Sequence, residues 1–114
     1  MNVDISKIRF QDARILRVIE NADQKRLTFE VSYPLTECNT DFEQGKFSFE
    51  FFSRYVVTER NFPGEPTIQK AEVTESTANG MTIRLHTNYG IREVSCYGIT
   101  SGSTFVGPGA EPKQ

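Results

Sequence analysis

Period two dominates this chain. In residues 26–33, RLTFEVSY, the side chains of Leu27, Phe29, Val31 and Tyr33 fall on one side, and Arg26, Thr28, Glu30 and Ser32 on the other. Successive side chains point to opposite faces only in a strand, so this alternation means a sheet with one face buried and one wet. Residues 46–57, KFSFEFFSRYVV, repeat it with Phe47, Phe49, Phe51, Tyr55 and Val57 in phase. Only Phe52 and Val56 interrupt the polar side. Shorter strand-like runs follow the same rule at 13–20 (ARILRVIE), 67–75 (TIQKAEVTE), 80–87 (GMTIRLHT) and 91–99 (IREVSCYGI). Turn-forming clusters, NADQ, FPGEP, TANG and NYG, separate them. No segment carries a helical stripe, and DISKIRFQ offers one or two turns at most.

These patterns predict an all-β fold. The expectation is a single antiparallel meander forming a small sandwich or open barrel of six to seven strands, with at most one short N-terminal helical turn. The chain has 114 residues, one domain's worth. We place the domain at 1–104 and a mobile, Gly-, Ser- and Pro-rich tail at 105–114. The predicted core is Leu27, Phe29, Val31, Phe47, Phe49, Phe51, Ile83, Leu85 and Val94. A four-residue loop at 21–24 sets Val18 opposite Leu27 and Leu16 opposite Phe29. A two-residue loop at Asn88 and Tyr89 sets Ile83 opposite Val94 and Met81 opposite Cys96.

Charge excludes one class of function. Thirteen basic residues against fifteen acidic ones give a net charge of −2, without the basic surplus that nucleic-acid binding needs. The stretch GKFSFEFF nevertheless resembles the RNP1 signature of RNA-recognition domains, with Phe47, Phe49 and Phe52 as the stacking rings. Lys46 and Gly45 stand in reversed order and Glu50 would repel phosphate, so the odd-numbered rings are expected in the core. No apolar stretch is long enough to cross a bilayer. The opening MNVDISKIRFQD has no basic cluster followed by an apolar run. Cys38 and Cys96 are therefore expected as reduced thiols, and the expected compartment is the cytoplasm.

Catalytic constellations are not evident. His86 is the sole histidine. In the register above, Cys96 lies opposite Met81, five positions from His86, or roughly 17 Å at strand rise, too far for a nucleophile–base pair. Glu37, Asn39, Asp41 and Glu43 alternate as in a calcium loop, but Gly45 comes one place late and no helices flank it, so a solvated acidic loop is expected. A carboxylate pair such as Asp12 with Glu30 could still assemble across the fold. We expect a protein that is no enzyme and that uses no metal and no cofactor.

Binding remains. Strand parity puts Phe52 on the face of Arg54 and Val56, an apolar strip suited to a second subunit or a chain segment, unless a bulge near Phe51 and Phe52 resets the parity or a loop covers it. Phe62, in FPGEP, is either a plug beneath its turn or an exposed aromatic. Phe52, Arg54, Val56 and Phe62 form the candidate interaction surface. The expected function is a non-catalytic protein-interaction module; the alternative is a small carrier with an apolar ligand between its sheets. A protein partner or self-association is expected, and neither nucleic acid nor membrane. RFQDARILRVIE followed by LTFEVSYP resembles, through Phe10, Asp12, Ala13, Ile15 and Leu16, small bacterial all-β proteins of unknown function, including immunity-type families that neutralise toxins. Such families often carry His where this chain has Gln11, and no functional residue transfers.

Overall fold

The computed structural model describes residues 5–34, 42–61 and 63–107. A single 3-10 turn, Ile5–Lys7, precedes β1 (Arg14–Asn21), β2 (Arg26–Pro34), β3 (Phe42–Glu50), β4 (Arg54–Glu59), β5 (Ile68–Thr77), β6 (Gly80–Thr87), β7 (Gly90–Cys96), β8 (Gly98–Ser101) and β9 (Thr104–Val106). The strands make two antiparallel sheets, a five-stranded one ordered β1-β2-β3-β8-β9 and a four-stranded one ordered β4-β7-β6-β5. They form a sandwich and do not close into a barrel.

The expected all-β class therefore holds, but the chain is not one meander. Consecutive pairing covers β1–β3, β5–β7 and β8–β9, while β4 lies beside β7 and β8 returns to β3. The excess over six or seven strands comes from two breaks and the C-terminal end. KFSFEFFSRYVV is two strands in different sheets. β3 stops at Glu50, Phe51 takes a left-handed backbone (φ 51°), and β4 starts at Arg54. IREVSCYGI breaks likewise at Tyr97, whose N–H donates to the Glu50 carbonyl at 2.9 Å. Thr104–Val106, across the start of the expected tail, pairs with β8 and buries Val106.

Between the sheets lie the predicted side chains, with one correction. Leu27, Phe29, Val31, Phe49, Ile83, Leu85 and Val94 are all 0% exposed and Phe47 is 1% exposed. Phe29 is the hub of the rings, 5.5 Å from Phe47, 5.3 Å from Phe49 and 5.8 Å from Tyr55. Each buried ring contributes about 2–3 kcal/mol. Phe51, expected in this core, is 64% exposed. The left-handed residue resets the alternation, so Phe52 packs against the core in its place.

Two hairpins show how turns set register. Asn88 and Tyr89 make the expected two-residue loop, with Ile83 facing Val94 and Met81 facing Cys96. The first hairpin is shifted: Val18 faces Phe29 and Glu20 faces Leu27. Its loop is residues 22–25, because the Asn21 side chain accepts from the Gln24 N–H (3.2 Å) and Lys25 is left-handed. A register shift at Leu16 then turns that side chain outward and Ile15 inward.

Candidate functional site

Two neighbouring chain segments turn the same corner between the sheets, residues 50–54 and 95–98. The corner is held by backbone bonds: Phe52 N–H to Lys25 O (2.9 Å), Ser53 N–H to Ser95 O (2.8 Å) and Tyr97 N–H to Glu50 O. A bulky L-residue in a left-handed backbone costs about 1–2 kcal/mol, and such a residue persists only where its surroundings impose it. Here the imposed geometry ejects the Phe51 ring into solvent. Beside it opens a cleft of about 630 Å³ walled by Phe51 and Tyr97. Its floor is neutral and hydroxyl-rich: Thr82 Oγ1 and Ser95 Oγ lie 3.0 Å apart, and Thr77 Oγ1 accepts from the Asn79 N–H at 3.1 Å. Glu75 is the single charged side chain in the lining. Tyr97 also meets Phe105, centroids 6.3 Å apart, and the Phe105 ring lies over Gly98. Phe51, Tyr97 and Phe105 thus form an aromatic ridge along the corner.

The residues expected to form one apolar strip are divided between the two faces. Phe52 faces the core. Arg54 and Val56 occupy the outer face of β4, where Arg54 meets Glu93 at 3.6 Å, and Glu93 also binds Arg84 at 2.9 Å. Phe62 lies outside the described residues. Phe51 was missed as a surface residue. The Phe51–Phe52 doublet followed by Ser53, which breaks the alternation, was its signal.

The other expectations sort similarly. Phe47 and Phe49 are buried, so they offer no stacking platform. His86 sits by Glu72 at 3.6 Å on the outer face of β6, whereas Cys96 faces the core. Burial, with the Glu50 charge adding to it, pushes the Cys96 thiol up to about 12, so it is neutral and no nucleophile at pH 7. Glu30 is engaged by Arg17 at 3.1 and 3.3 Å, and Asp12 meets β5 through its backbone N–H to Ile68 O. Of the calcium-like loop, Glu37, Asn39 and Asp41 lie outside the described residues, as does Cys38. Among the described residues no cluster of metal-ligating side chains occurs.

One polar cluster on the inner face had no sequence signal. Arg92 and Glu59, with side chains only 12% and 9% exposed, form a two-pronged ion pair at 2.7 and 3.0 Å. Arg92 also donates to the Tyr55 hydroxyl (2.9 Å), and Thr87 Oγ1 to Glu59 (3.0 Å). Burial raises the Tyr55 hydroxyl above its ordinary range against the opposing pull of Arg92. For Arg92 burial disfavours the charge, but the bonds and charges of Glu59 and Tyr55 outweigh it and its pKa is raised. Every one of these charges has its partner inside the cluster, which makes it a brace for the end of the sandwich.

No protein-family model matches the chain, and no curated protein matches it in sequence. No helix among the described residues is long and apolar enough to cross a membrane.

Proposed function

We propose that this protein is a non-catalytic protein-interaction module whose binding site is the aromatic corner. The observation that carries the reading is Phe51, a bulky apolar side chain held at 64% exposure by a strained backbone at the mouth of a cleft. Strain of this kind concentrates at binding sites, and aromatic anchors supply most of the energy of small interfaces. The hydroxyl-rich floor suits the backbone of a loop or extended segment whose apolar side chain meets Phe51 and Tyr97. An immunity-type role, covering a toxin, is one use of such a surface. The carrier alternative lacks support, because Phe29, Phe47 and Phe49 fill the space between the sheets and the corner cleft opens to solvent. Cys96, a free buried thiol, fits a reducing compartment, and we assign the protein to the cytoplasm.

The test compares wild type with Phe51→Ser as baits in cell extract, followed by calorimetry on any purified partner. Phe51→Ser is expected to weaken that partner by about thirtyfold, the scale of a hot-spot residue. A partner that binds both forms equally places the site elsewhere.

A further inference from the structure

Among the described residues four strands have a free side: β1 and β9 bound the first sheet, β4 and β5 the second. Sheets avoid pairing edge to edge by bulges, lysines, short strands or covering contacts. Three of these edges carry such devices. β1 has its register shift at Leu16 and is bridged from Arg14 to Thr67. β5 has two register shifts and presents Lys70. β9 is three residues long. Among the described residues β4 has none of them, and its two charged side chains, Arg54 and Glu59, are already engaged by Glu93 and Arg92 of β7. Its register against β7 is unbroken from Arg54 to Glu59, it holds neither Pro, Gly nor Lys, and Val57 is 46% exposed.

The hydrogen-bond phase of that edge follows from its pairing. Arg60 N–H donates to Tyr89 O, in continuation of the β4–β7 register. Antiparallel bonding alternates, so Arg54, Val56 and Thr58 exchange bonds with β7. Tyr55, Val57 and Glu59 direct their N–H and C=O groups outward, and these find no backbone partner among the described residues.

We propose that β4 pairs antiparallel with β4 of a second copy about a twofold axis at Val57, joining the two four-stranded sheets into one. This register sets Val57 against its own copy and Tyr55 against Glu59, so all three outward-facing residues exchange both bonds. Val56 falls opposite Thr58 on the outer face, and β-branched pairs of this kind stabilise a sheet. Arg54 falls opposite Arg60, with Glu93 at 3.6 Å to offset its charge. A second copy fits better than a foreign strand because the outward groups repeat in phase about Val57 with equal length on both sides. The inference is independent of the aromatic ridge, whose rings, Phe51, Tyr97 and Phe105, lie outside β4.

Sedimentation equilibrium on the full chain, from about 1 µM to about 1 mM, tests it with Val57→Pro, Val57→Lys and Phe51→Ser. The Val57 N–H takes no part in bonding to β7, so proline there removes only the edge donor. Wild type should dimerise, both Val57 variants should dissociate at least about tenfold more readily, and Phe51→Ser should match wild type. A wild type monomeric at the top concentration overturns the proposal, whether or not β4 takes up a foreign strand. So does a dimer that Val57→Lys leaves intact. Should Val57→Pro not fold, concentration-dependent protection of the Val57 amide against hydrogen exchange decides alongside Val57→Lys, and its absence counts against pairing.

Discussion

Phe49 and Phe51 stand two residues apart in the same aromatic run and should respond to mutation by very different amounts. Phe49 is fully buried, with ring contacts to Phe29 at 5.3 Å and Phe47 at 5.8 Å. Truncation to alanine removes that burial and leaves a cavity, at a cost of about 3–5 kcal/mol. Phe51 buries only about a third of a side chain of about 200 Å², so losing the ring costs about 2 kcal/mol. Phe51→Gly also relieves the left-handed backbone, a gain of about 1–2 kcal/mol, offset by about 0.5–1 kcal/mol of added chain entropy in the unfolded state. The net change for Phe51→Gly is a loss of about 0.5–2 kcal/mol. Urea denaturation with an unchanged slope should separate the two variants, and thermal melts should show roughly 15 °C lost for Phe49→Ala against a few degrees for Phe51→Gly. If Phe51→Gly were as damaging as Phe49→Ala, the ring at 51 would be core and the chain would not break at this corner. If Phe49→Ala melted with wild type, the sandwich core would be wrongly assigned.

Arg92→Ala should cost about 3–5 kcal/mol in chemical denaturation, because it strands the buried Glu59 carboxylate without its partner. The more exposed Arg84→Ala, which also breaks an ion pair, should cost about 1 kcal/mol or less, and equal losses would refute the distinction. Stability should also fall in alkali. Below pH 9 the Cys96 thiol is protonated in both folded and unfolded chains, so its contribution is fully present. Between pH 9 and about 12 only the unfolded chain ionises, and stability drops by about 1.4 kcal/mol per pH unit. Tyr33 and Tyr55, both raised chiefly by burial, steepen the loss above pH 10. Urea midpoints at pH 8 and 10.5 for wild type and Cys96→Ala check this, and an identical pH dependence in the two would contradict it.

The strand faces were legible because side-chain direction in a strand is local. Alternation along β2, β3 and β6 places Leu27, Phe29, Val31, Phe47, Phe49, Ile83 and Leu85 in the core without reference to any other strand. The β6–β7 register was legible for a related reason: a two-residue loop leaves one pairing, and Ile83 meets Val94 in it. Alternation does not say which sheet a strand joins, and there the reading of the sequence failed. Phe51 looks like one more inward ring until the bonds to Lys25 and Ser95, remote in sequence, turn the chain at that point. The same corner separates Phe52 from Arg54 and Val56 and creates the ridge with Tyr97 and Phe105. Arg92 meets Glu59 across 33 residues only because β4 lies beside β7. Thr104–Val106 becomes a strand because β8 offers it an edge, although its Gly- and Ser-rich surroundings read as tail. Local periodicity acts through each residue's own backbone, whereas corners, edges and buried ion pairs depend on partners that only the packed sheets bring within bonding distance.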